Sequence, residues 1–138
     1  MAAGYSATPL AKKLGVKAGS SVALLDAPTG WSIPDLPPGT RVARARRSAS
    51  AMKNEHVVVA FCRASSDVAA LRADVAQLES TASLWLAWPR KAAGHVSDVT
   101  ENLLREMLLP TGVVDVKVAA LDDDWSGLKF VWRKENRR

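Results

Sequence analysis

The side chains that could do chemistry gather where the apolar runs of this chain stop. Asp26 ends the run 21–25, and Gly30 and Trp31 follow a short turn later. Cys62 and Arg63 end the run 56–61. Trp88 ends the run 82–88, Pro89 breaks it, and Arg90 and Lys91 come next. Asp122, Asp123, Asp124 and Trp125 follow residues 113–121. Cations beside indole rings suit an anion: arginine grips carboxylate or phosphate with a planar fork, and lysine acts as a point charge. The candidate ligand-binding set is therefore Asp26, Gly30, Trp31, Arg63, Trp88, Arg90, Lys91 and Trp125. The plainer reading is solvated loop charge beside packing tryptophans. Neighbouring strands lie about 4.8 Å apart, so Arg63 and Arg90 are expected to converge on one anion. Asp122 to Asp124 are the competing partners for those cations.

Other chemistries find little support. Cys62 could be a nucleophile, but CRASSDV lacks the arginine a cysteine-phosphatase loop needs further on, and a small buried residue is the expectation. His56 and His95 have no neighbouring ligand pattern, so no metal site is expected. Residues 41–47 carry Arg41, Arg44, Arg46 and Arg47, which could touch nucleic acid, yet no aromatic stands among them to stack a base. The run Asp122-Asp123-Asp124 could hold a cation but is more simply a hydrated turn. No catalytic residue is assigned.

Elements must bring these residues together. The run 82–88 is continuous rather than alternating, as in a strand covered on both faces, and it is expected to be the central strand of a parallel sheet. Residues 21–26 and 56–62 read as further interior strands, and 40–47 as an edge strand with one wet face. Residues 113–121 and 128–133 read as a closing hairpin whose last strand is reversed and lies at an edge. Thr8 is expected to cap a short helix that Gly15 closes. Ser66 is expected to cap a helix over 67–79, with Val68, Leu71, Val75 and Leu78 facing the core. Ser97 is expected to cap a helix over 98–109. The start of helix 67–79 would add N–H donors for an anion. Trp85 and Trp88 should point to opposite faces, Trp85 into the core and Trp88 toward the mouth of the crevice. Residues 135–138 are expected to fray.

Strands alternating with helices give an α/β, Rossmann-like three-layer fold. The sheet should be mostly parallel, of about six strands, with a final antiparallel strand. The length of 138 residues fits one domain, 1–138. One cysteine excludes an intrachain disulfide and suits a reducing compartment, and the first residues lack the apolar core of a secretory signal. No apolar run nears the ~18 residues of a membrane span. The expectation is a cytoplasmic protein without membrane association. The net charge is +5, and residues 1–64 hold nine Lys or Arg against three acids, which favours anionic partners.

Two resemblances follow from these residues. The strand order with its reversed last strand, and the approach Leu14-Gly15-Val16-Lys17-Ala18-Gly19-Ser20-Ser21-Val22-Ala23-Leu24-Leu25-Asp26, resemble class I methyltransferases. That resemblance implies an S-adenosylmethionine site after the first strand. The chain departs from it where Asp26-Ala27-Pro28-Thr29-Gly30 replaces a glycine-rich loop, and where Arg44-Ala45-Arg46-Arg47 replaces an acid for the ribose. A closer resemblance is to a family of small bacterial proteins known as a domain of unknown function. It rests on Gly4-Tyr5-Ser6-Ala7-Thr8-Pro9-Leu10-Ala11-Lys12-Lys13-Leu14-Gly15, Leu84-Trp85-Leu86-Ala87-Trp88-Pro89-Arg90-Lys91 and Trp125-Ser126-Gly127-Leu128-Lys129-Phe130-Val131. It covers most of the chain, is weakest from Gly30 to Glu55, and implies no known activity.

The leading expectation is a non-catalytic domain without cofactor that binds an anionic small molecule or a protein partner at the carboxyl edge of its sheet. The alternative is a divergent S-adenosylmethionine-dependent enzyme. A weaker one is nonspecific nucleic-acid binding.

Overall fold

The structure is a computed structural model and describes residues 8–137. Residues 4–7 of the first matching segment, and Arg138, lie outside the described residues. Six strands form one sheet: β1 (Ser21–Leu25), β2 (Arg41–Ala45), β3 (Val57–Phe61), β4 (Ser83–Pro89), β5 (Val113–Ala120) and β6 (Trp125–Trp132). Their order is β2-β1-β3-β4-β6-β5. The pairs β2–β1, β1–β3 and β3–β4 are parallel, and β6 runs antiparallel to both β4 and β5. The reversed strand is thus interior and β5 takes the edge, contrary to the expectation of a reversed edge strand. An up-and-down hairpin can insert either strand beside β4, and local pattern does not choose between them.

β1 and β3 are buried at every residue, as continuous apolar runs require. β4 is buried from Leu84 to Trp88. β2 is exposed along its whole length rather than on one face only. Helix α1 (Leu10–Leu14) covers one face of the sheet; α2 (Ser65–Arg72) and α3 (Glu101–Leu108) cover the other. Successive strand residues point to opposite faces. Accordingly Val22, Leu24, Val57, Val59, Phe61, Trp85 and Ala87 join the α1 core, while Ala23, Leu25, Val58, Ala60, Leu84, Leu86 and Trp88 join the core under α2 and α3. Trp85 is fully buried and donates its indole N–H to the Leu14 carbonyl at 3.2 Å.

Local chemistry moves the expected helix ends. α1 starts after Pro9, whose extended backbone forms the N-cap, and Gly15 closes it at φ 81. α2 starts at Ser65, because Asp67 reaches back to the N–H groups of Arg63 and Ala64 at 2.8 and 3.1 Å. It stops at Arg72; Val75 and Leu78 still face the core, but Val75 sits in a separate 3-10 turn and Leu78 just after it. α3 is capped by Thr100, whose hydroxyl accepts from Leu103 N–H at 3.1 Å. Ser97 instead donates to the Arg63 carbonyl at 2.8 Å. The segment expected to fray forms a 3-10 turn, Lys134–Asn136, and Asn136 donates to the Gly112 carbonyl at 2.9 Å. Among the described residues no helix is long and apolar enough to cross a membrane.

Candidate functional site

The carboxyl ends of β1 to β4 and the β5–β6 turn share one edge of the sheet. Phe61, the last residue of β3, is the pivot. Trp31 and Trp125 meet it edge-on, with ring centroids 4.9 and 5.0 Å away. Trp31 donates its indole N–H to Asp122 Oδ2 at 2.9 Å. The other oxygen of Asp122 accepts the backbone N–H groups of Asp124 and Trp125, both at 2.8 Å, which shapes the turn as an Asx turn. The guanidinium of Arg63 lies 5.4 Å from the Trp125 ring and donates to the Asp26 carbonyl at 2.9 Å. Arg90 donates to the carbonyls of Asp122 and Asp123, each at 3.2 Å.

Two hollows open at this edge. The larger, about 690 Å³, lies where β1, β2 and β3 end and is lined by Asp26, Thr29, Arg44, Arg46, Arg63 and Asp67, among others. The smaller, about 380 Å³, is bounded by Pro28, Arg63, Pro89, His95, Asp124 and Trp125. Arg63 borders both. At the rim of the smaller one His95 Nε2 is 3.0 Å from Asp124 Oδ1, with both side chains well exposed.

In the larger hollow the carboxylates serve the backbone. Asp26 sits at φ 56 and its Oδ1 accepts the Arg47 N–H at 3.2 Å. Asp67 Oδ2 takes the two N–H groups at the start of α2. Arg44 donates to the carbonyls of Trp31 and Pro28, the latter at 2.9 Å. The Arg46 side chain has no hydrogen-bond or ion-pair partner among the described residues. Cys62 lies just behind, buried, and its thiol is pushed up to about 12, first by burial and then by the charges of Asp67 and Asp26. A thiol so held offers no thiolate nucleophile near neutral pH.

The expected site residues divide into two groups. Asp26, Trp31, Arg63, Arg90 and Trp125 are brought together and bonded to one another's loops. Trp88 is not at the mouth: it is 8% exposed and packs in the core under α2 and α3, because β4 remains covered to its last turn. Gly30 is exposed at φ 80, and Lys91 is exposed in a 3-10 turn, Lys91–Ala93, beyond the edge. Arg63 and Arg90 do not converge; each is drawn to carbonyls on a different loop. The donors at the start of α2 are also taken, by Asp67 and by Asp98, whose Oδ1 accepts the Ser65 N–H at 2.8 Å. That hydrogen bonding with Ser65 holds the Asp98 carboxyl below its usual range. Phe61, Arg44, Arg46 and Asp67 complete the site and were not expected there. The signal for the arginines was their place at the end of the strand beside β1. Among the described residues no group of three or more His, Cys, Asp or Glu is placed to hold a metal. His56 Nδ1 accepts the Ser21 N–H at 2.8 Å.

A mostly parallel sheet with one inserted antiparallel strand and helices on both faces is a Rossmann-like fold of the methyltransferase type. Solved structures bear this out. The fibrillarin pre-rRNA processing protein of Methanococcus jannaschii is similar with a TM-score of 0.57 and 14% identity, over 94% of this chain and 70% of that one. MtNAS, a nicotianamine synthase solved in complex with MTA and tNA, is similar with a TM-score of 0.53 and 9% identity, over 89% of this chain and 57% of that one. At such identities the likeness is one of fold. No family model matches the chain, and no curated protein matches it.

Proposed function

We propose that the protein is a non-catalytic Rossmann-like domain that binds the phosphate or carboxylate group of a small anion in the hollow at the ends of β1, β2 and β3. The observation that carries this reading is the division of labour there. Asp26 and Asp67 each give one oxygen to backbone N–H groups, while Arg46 stands without a partner among the described residues in a hollow it shares with two arginines anchored by carbonyls. A guanidinium anchored through one or two N–H groups keeps others for a ligand. The hollow therefore has guanidinium donors for an anion. An acidic side chain of a partner protein would satisfy the same donors. We place the protein in the cytoplasm, in keeping with its lone buried thiol. We also group it with the small bacterial proteins it resembles: their Trp-Ser-Gly-Leu-Lys-Phe segment here supplies Trp125, a wall of the smaller hollow beside it.

The topology favours one rival, a divergent S-adenosylmethionine-dependent enzyme. Against it, residues 26–40 lead from β1 to β2 without a helix, so no helix N-terminus faces the hollow from that side, and Arg46 follows the end of β2 where the methyltransferase pattern has an acid. Isothermal titration compares inorganic phosphate with S-adenosylmethionine and its demethylated product. Saturable binding of phosphate alone is expected; micromolar binding of S-adenosylmethionine would overturn the reading. Nonspecific nucleic-acid binding would appear as affinity that falls steeply with salt.

A further inference from the structure

We infer that the α1 face of the sheet carries a second anion site, a cluster of Lys13, Lys17, Lys117 and Lys129 that takes a multivalent phosphate such as a polyphosphate chain. It lies under β5 and β6, apart from the hollow at the ends of β1 to β3.

The cluster begins with register. Lys117 stands directly opposite Lys129 in the β5–β6 ladder. Like charges placed directly across a ladder are destabilising. A bulge makes the arrangement worse for the free protein. Asp115 pairs with Phe130 and Lys117 with Lys129, so Val116 is the extra residue. In a regular strand residues two apart share a face, and Asp115 would then lie beside Lys117. The bulge sends Asp115 to the other face, where Arg105 Nε donates to its Oδ2 at 2.9 Å. Lys117 is left among cations.

Helix α1 adds the rest. Lys13 is only 7% exposed and donates Nζ to the Ala120 carbonyl at 2.9 Å. Lys129 Nζ lies over the end of α1, 3.9 Å from where a Cβ on Gly15 would stand. The side chains of Lys17, Lys117 and Lys129 have no hydrogen-bond or ion-pair partner among the described residues. The ammonium of Lys129 is held below its usual range by burial, then by Lys117 and Lys17; that of Lys13 by burial, then by Lys117. Among the described residues no carboxylate acts on Lys129, although Asp35 borders the groove that Lys17 lines. Repulsion held in place in this way is relieved by a bound anion. Ammonium groups bind as point charges rather than through a planar fork, so several of them clustered favour an anion carrying several charges, such as a phosphate chain, over a single carboxylate.

Titration of the full chain with tripolyphosphate at constant ionic strength tests this. Saturable, equimolar binding is expected at the cluster. Lys117→Gln with Lys129→Gln should weaken it by about tenfold or more. Arg46→Gln should leave it unchanged. Without ligand, the double variant should melt no lower than the wild type, since it removes repulsion, and tripolyphosphate should raise the wild-type melting temperature more than that of the variant, which keeps the Arg46 hollow. Equal binding by the double variant, or loss of binding in Arg46→Gln, overturns the site. Tighter binding of an oligonucleotide with the same number of phosphates overturns the ligand class in favour of nucleic acid.

Discussion

Trp31 and Asp122 are joined by a 2.9 Å hydrogen bond across 91 positions of sequence. The bond ties the β1–β2 connection to the β5–β6 turn over the end of β3, with Phe61 packed beneath. Asp122 thereby serves three donors, two of them backbone. Trp31→Phe keeps a ring against Phe61 and removes only the indole donor. A loss of about 1 kcal/mol is expected, at the low end for a bond to a charged group because the site is half-exposed. A shift of the denaturation midpoint with an unchanged slope checks it; an unmoved midpoint means the bond does not form in solution.

Trp85 is the largest fully buried side chain, and it bridges β4 to α1. Truncating it leaves a cavity and an unpaired Leu14 carbonyl. Trp85→Ala should cost roughly 3–5 kcal/mol, a large part of the stability of a domain this size. Thermal melting reads it directly, and an unchanged melting temperature would refute the strand assignment.

Much of this architecture was legible because it is local. The unbroken apolar runs of β1, β3 and β4 announced buried strands, and the three-residue spacing of Trp85 and Trp88 announced opposite faces. Depth was not legible: nothing in residues 83–89 says that helices cover Trp88 as fully as α1 covers Trp85. The helix starts misled for a simple reason. Ser66 and Ser97 look like caps, but Asp67 and Thr100 make the bonds. The site itself was half-legible. Strand ends fixed which residues meet, whereas the carbonyls that capture Arg63, Arg44 and Arg90 belong to loops whose paths depend on the whole fold. The bulge at Val116, which separates Asp115 from Lys117, has no sequence signature of its own.

Cys62 gives a pH prediction. Its thiol is pushed up from an ordinary value of 9.0 to about 12, chiefly through burial. The unfolded chain therefore loses this proton first as pH rises. Between about 9 and 12 the folded state binds more protons than the unfolded one, so stability falls with rising pH in that window and is unaffected by Cys62 below it. Cys62→Ala should flatten that part of the stability profile. A thiol reagent at pH 8 should label native protein only as fast as it opens; immediate labelling would contradict the burial.

The central claim, an anion held by arginines at the carboxyl edge, is tested most directly by amide chemical shifts during a titration with inorganic phosphate. The account predicts saturable shifts centred on Thr29, Arg46 and Arg63 in the wild type, and their loss in Arg46→Gln while the remaining spectrum stays that of the folded protein. Shifts that are absent at those residues, or that persist unchanged in Arg46→Gln, would contradict it.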